Sequence, residues 1–287
     1  MNNNAKTVGL LAFLTALVWL GGAGLSNGNW LVGLGFAALL NLGAYFFSDK
    51  LALAASRARP ADEIQLPQVH AIVRNLALRA EMPMPKVYLM DSPQPNAFAT
   101  GRNPKHAAVA VTSGILSGLS YDELEGVIAH ELAHVRNRDI LIGSVAAMLA
   151  AALSVFARMA FFTGGGRDER NNPLAAILSL VALVLAPIGA LFIRFAISRA
   201  REYQADASGA GLTGRPLQLA SALQKIGLAT ARIPMRVNPA ISSLYIENPL
   251  KAARPGGLMS LFSTHPPIED RIRRLEEIAG GRRGVSR

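Results

Sequence analysis

No cysteine occurs among the 287 residues of the chain. It therefore has neither a disulfide framework nor a thiolate metal site, and any bound metal must rest on histidine and carboxylate. Charge is sparse, at 17% against about 25% in an ordinary soluble domain. Acidic residues are the scarcer sign, 19 against 29 basic, for a formal net charge of +10. That excess could signal nucleic acid. It lies instead beside apolar segments and at the C-terminus, with no aromatic–basic interleaving, which argues against nucleic acid and for a membrane surface. No Gly-x-x-x-x-Gly-Lys-[Ser/Thr] phosphate loop occurs, so nothing points to nucleotide use.

Apolar residues, by contrast, make up 51% of the chain, more than one soluble core needs. They gather in four runs, at 7–25, 30–47, 140–162 and 174–197, each about long enough to cross a bilayer. A second run follows the first at once, which favours a retained hairpin over a cleaved signal peptide. Trp19 and Trp30 near one end, with Tyr45, Phe46 and Phe47 at the other, suit interfacial anchors. Pro187 should kink the fourth run, and Arg158 and Arg194 lie close enough to span ends to snorkel. Four crossings place both polar blocks on one side. Lys6, Lys50, Arg57, Arg59, Arg136, Arg138, Arg199 and Arg201 flank that side, which the lysine/arginine bias assigns to the cytoplasm.

The expected layout is a transmembrane hairpin (1–47), a first polar block (48–139), a second hairpin (140–197), a second polar block (198–279) and a basic tail (280–287). In the first block, periodicity predicts a helix over 66–80, ended by Met82-Pro83-Met84-Pro85. Strand patterns follow at 86–90, 97–100 and 107–112, separated by turn residues, and assemble most simply as a small antiparallel sheet. The second block predicts helices over 216–231 and 267–279.

The chemistry concentrates in His130-Glu131-Leu132-Ala133-His134. Histidines four apart share one face of a helix, so both imidazoles can reach one Zn²⁺ while Glu131 stands ready to handle a proton. Ser120 suits an N-cap, with Glu123 three residues on. Tetrahedral zinc needs a further protein ligand. His70 and His106 read as solvated. Glu202 and Asp206, spaced i and i+4 just after the fourth apolar run, are the stronger source; a solvated carboxylate face paired with Arg199 and Arg201 is the plain alternative.

These two motifs, bracketing an apolar hairpin, resemble the HtpX-type membrane zinc metalloproteases, relatives of the CAAX prenyl protease and of a mitochondrial inner-membrane stress protease. The resemblance extends to Asn96-Ala97-Phe98-Ala99-Thr100-Gly101, Asn238-Pro239-Ala240, Asn248-Pro249-Leu250 and Phe262-Ser263-Thr264-His265-Pro266-Pro267 with Arg271. It implies one zinc per chain on His130, His134 and Glu202, with Asp206 orienting a ligand histidine and Glu131 as general base. It nominates His265 and Arg271 to stabilise the oxyanion, where the residues alone would read as a helix cap and a solvated charge. It also implies that Asn96, Ala97 and Phe98 form an exposed strand edge that binds substrate by β-addition.

The expected fold is therefore α+β: a mostly helical integral membrane protein with four transmembrane helices and a cytoplasmic, zincin-like metalloprotease domain. The expected function is ATP-independent endoproteolysis of damaged or misassembled membrane proteins in quality control and stress response. It would operate in the bacterial inner membrane with its site facing the cytoplasm, as a monomer or an oligomer. A scaffold with a structural zinc is the rival reading. Glu131 argues against it, because a structural site has no use for a base.

Overall fold

The computed structural model describes residues 12, 30–141, 199–250 and 265–281. The expected first, third and fourth spans fall almost wholly outside these residues, as do Arg158, Arg194 and nearly all of the basic tail. The second falls in helix α1 (Trp30–Ala55), which continues past the polar Ser48-Asp49-Lys50 and buries Ala52 and Leu53 against the folded domain. Among the residues whose side chains are described, no helix is long and apolar enough to cross a membrane.

A four-stranded sheet is the platform for the site. Its strands are β1 (Arg59–Pro60), β2 (Lys86–Met90), β3 (Ala97–Gly101) and β4 (Ala107–Thr112), in the order β1-β2-β4-β3. The expected all-antiparallel sheet is not what forms. β2 and β4 run parallel, while β3 returns antiparallel to β4 and β1 pairs antiparallel with β2. The chain leaves β2, forms β3 at the far edge and then fills the gap with β4, so strands that are neighbours in sequence are not all neighbours in the sheet. Only two residues long, β1 carries too short a pattern to be read from sequence.

Alternation along the strands sorts two cores. Val87, Ala97, Ala99, Val109 and Val111 face one side, towards helices α2 (Pro67–Arg79) and α4 (Tyr121–Arg136). Met90, Phe98, Ala108 and Ala110 face the other, against the end of α1 and against Ile241 and Tyr245. The short helix α3 (Ser113–Gly118) links β4 to α4, with the Thr112 hydroxyl accepting the Ile115 N–H at 3.1 Å.

α4 is buried along almost its whole length. Ser120 and Glu123 form a capping box at its start, each side chain accepting the other's backbone N–H, which satisfies donors the first turn leaves open. Glu123 also receives Ser221 and Lys225 from helix α6 (Pro216–Arg232), at 2.6 and 2.8 Å. Helix α5 (Arg199–Thr213) lies directly against α4. A side chain at Gly209 would put its Cβ 2.9 Å from the His130 backbone nitrogen, so only glycine permits this approach. Helix α7 (Ile268–Ala279) closes the unit, burying Ile268, Arg271 and Leu275 from one stripe.

Candidate metal centre

α4 brings His130 and His134 to one face, one turn apart. Their Nε2 atoms lie 3.2 Å from each other. From α5, Glu202 places Oε1 3.4 Å from His134 Nε2 and Oε2 3.8 Å from His130 Nε2. Two nitrogens each about 2.0–2.1 Å from a tetrahedral zinc stand roughly 3.3 Å apart, so the spacing fits that ion. The polar chemistry fits as well. Glu202 Oε2 is buried without a hydrogen-bond partner among the described residues, a costly arrangement unless a cation meets it. His130, His134 and Glu202 together form a group able to hold a metal ion.

Each histidine has a carboxylate behind it. Asp206 Oδ1 lies 2.9 Å from His130 Nδ1, and Asp139 Oδ2 lies 3.3 Å from His134 Nδ1. An ionised carboxylate can only accept, so each Nδ1 carries a proton, and with a cation bound each Nε2 would offer its lone pair to that cation. Arg271 grips Asp206 with two bonds, Nε to Oδ2 at 2.8 Å and Nη2 to Oδ1 at 2.6 Å, and donates from Nη1 to the Ile246 carbonyl at 3.1 Å. Arg271 is fully buried. Its fork engages Asp206, and Nη2 also lies 3.4 Å from His130 Nδ1 and 3.5 Å from His130 Nε2, so holding Asp206 stands as a second role beside the expected one at the oxyanion. Sequence could not show this, because the pairing joins α7 to α5 across 65 residues.

Glu131 sits at the cleft, 3% exposed, and its Oε2 accepts the Ala99 backbone N–H at 2.8 Å. Burial raises its carboxyl to about 8. Burial pushes Glu202 the same way, but His265, His134 and His130 outweigh it and bring that carboxyl down to about 2. His134 is lowered by burial and raised more strongly by Glu202 and Asp139, to about 9. Burial dominates at His130 and lowers it. A cation at the site would favour the deprotonated forms of Glu131 and His134.

His265 lines the same cleft with Ala99, Glu131, Leu244 and Ile246. Its Nε2 is 3.8 Å from Glu202 Oε2. The expected exposed edge at Asn96, Ala97 and Phe98 is covered. All three are 0% exposed, because residues 245–247 of the same chain lie on that edge. Ile246 N–H donates to the Ala97 carbonyl at 2.9 Å, and Asn96 Nδ2 donates to the Glu247 carbonyl at 2.8 Å. Phe98 turns to the opposite face and packs on Tyr245. Ala99 is the residue of β3 that reaches the cleft. Of the remaining histidines, His106 is exposed. His70, expected to be solvated, is half-buried with Nε2 2.9 Å from the Ala61 carbonyl. Asp139 was not anticipated, since five residues beyond His134 is not a helical neighbour.

The sequence pattern of Peptidase family M48 matches residues 63–279. A Protease HtpX homolog of Syntrophotalea carbinolica is 51% identical over 284 residues, covering 96% of this chain and 99% of that one. Another, of Burkholderia thailandensis, is 49% identical over 283 residues, covering 97% and 98%. Among solved structures, the crystal structure of S. mikatae Ste24p aligns with 94% of this chain at a TM-score of 0.53 and 18% identity. The chain spans 65% of that protein's length, and at this identity the likeness is one of fold.

Proposed function

The chain belongs to peptidase family M48 as an HtpX-type metalloprotease, and from this we infer a zinc-dependent endopeptidase embedded in the bacterial inner membrane. His130, His134 and Glu202 are the ligands in this reading. A zinc ion held there supplies Lewis acidity towards water and a carbonyl, and a positive charge that favours ionised Glu131.

The observation that carries the reading is the position of Glu131. Its carboxylate is fixed by the Ala99 N–H at the mouth of the ligand triangle, where it can take a proton from attacking water and return it to the leaving amine. His265, on the same cleft, is the side chain placed to stabilise the developing oxyanion. Asp206 fixes the His130 tautomer, and Arg271 holds Asp206. In this reading the peptide enters the cleft at Ala99, beyond the stretch of the β3 edge that residues 245–247 cover. Asn96, Ala97 and Phe98 support that edge from behind.

The membrane part of the reading rests on the four apolar runs and on α1, whose Leu31, Leu34, Leu39, Leu42, Phe46 and Phe47 are exposed. Lys50 sits over Phe47 and Arg102 over Phe46, a basic collar where the apolar surface ends. A site beside that collar suits unfolded or misassembled membrane proteins as substrates, on the cytoplasmic side, in quality control under stress. Hydrolysis runs without ATP. The test uses full-length protein in detergent and an unfolded protein substrate, with no nucleotide. Cleavage should stop with chelator and return with about one equivalent of zinc; cleavage that persists in chelator contradicts the reading.

A further inference from the structure

We propose that Asp139 is a positioning residue for His134, and that its pairing with Arg201 is a clasp that sets the site across the two ends of the 140–198 segment. The proposal rests on the reading of His130, His134 and Glu202 as ligands.

The arrangement resembles what stands behind His130, with a longer outer contact, 3.8 Å against 2.6 and 2.8 Å. There, imidazole, Asp206 and Arg271 form a chain of alternating charge. Behind His134, the order is imidazole, Asp139 and Arg201, with Asp139 Oδ2 3.3 Å from Nδ1 and Asp139 Oδ1 3.8 Å from Arg201 Nη1. Both charged side chains are largely buried, 8% exposed for Asp139 and 9% for Arg201. Two buried carboxylates, each with a buried arginine beyond it, turn both Nδ1 atoms away from the ligand triangle as donors.

The backbone is built for this. α4 ends at Arg136, and Asn137 and Arg138 turn the chain back with Arg138 at φ 59°. A side-chain-bearing residue in the left-handed region costs roughly 1 kcal/mol or more, and here that turn returns Asp139 to the last turn of α4. Helix then resumes at 139–141 and enters the apolar run.

Arg201 comes from the other end. It lies in the first turn of α5, three residues after the segment ends and next to Glu202. Joining Asp139 to Arg201 thus ties the exit of the segment to its return, and fixes Glu202 opposite His134.

The test measures zinc affinity by chelator competition on the full chain in detergent, for wild type, Asp139→Ala, Asp139→Asn, Arg201→Ala and the double variant. Cobalt substitution adds a spectrum that reports ligand geometry. Asp139→Ala should weaken zinc binding about 10–100-fold and shift the cobalt bands. Asp139→Asn, which still accepts the Nδ1 proton, should lose less. Arg201→Ala should weaken binding in the wild-type background and add under about twofold to Asp139→Ala, as expected if it acts through Asp139. Unchanged affinity and cobalt spectrum in Asp139→Ala, with wild type binding zinc, overturn the clasp alone. Wild type that binds no zinc overturns the ligand reading as well. Asp139→Asn, with thermal unfolding in chelator, separates a folding defect from lost positioning.

Discussion

At the scale of single residues, Arg271 separates two accounts of the site. As a grip on Asp206, its loss leaves a buried carboxylate unpaired beside His130, which costs about 3–5 kcal/mol. Arg271→Ala should therefore lower stability and zinc affinity together, read by denaturant unfolding and chelator competition. A variant that keeps both and loses only kcat would leave the oxyanion role alone. The residue scale also shows what sequence can carry. His130, Glu131 and His134 are legible because a helix fixes i and i+4 side by side. Asp139 is not, because its return depends on one left-handed residue, Arg138. Nor is the burial of Arg271, which is decided by Asp206 on another helix.

Elements align these residues, and the contact of α5 with α4 is the critical one. Gly209 lets the helices approach, so Gly209→Ala, with its Cβ against the α4 backbone at Ala129 and His130, should push Glu202 away from the histidines. Zinc affinity should fall by at least tenfold while helix content is kept; unchanged affinity would mean the contact gives way elsewhere.

The capping box makes a second prediction. Burial raises the Glu123 carboxyl, but Lys225, Ser221 and Ser120 outweigh it and hold it at about 2, below its ordinary 4.5. A depressed carboxylate stabilises the fold above the unfolded value, and that contribution is lost as pH falls from about 4.5 towards 2. Glu123→Gln should remove this part of the acid dependence in unfolding followed by circular dichroism. An unaltered acid limb would show that Glu123 does not anchor α6 to α4. Strand positions were readable because turn residues bracket 86–90 and 107–112. Their parallel pairing was not, since no local pattern tells β2 that β4, rather than β3, will lie beside it.

At the scale of the whole molecule, the proposed reading adds the bilayer. In the proposed topology, the 163–173 loop faces away from the catalytic domain. Because the chain has no cysteine, single introduced thiols report without background. Ile64→Cys, at a site 91% exposed on the domain, should react with a membrane-impermeant maleimide only in inverted vesicles. Gly165→Cys should react only in right-side-out cells. Labelling of both from the same side would contradict four crossings.

In the proposed mechanism one buried carboxylate, Glu131, held by a strand amide beside three proposed metal ligands, makes this chain a protease. Wild type and Glu131→Gln, purified as full-length protein in detergent, allow zinc content and cleavage of an unfolded protein to be measured on the same samples. Both should bind about one zinc per chain, and only wild type should cleave, with the variant slower by about 10²-fold or more. Equal cleavage by the two proteins, or zinc lost along with the carboxylate, would contradict the assignment of Glu131 as base.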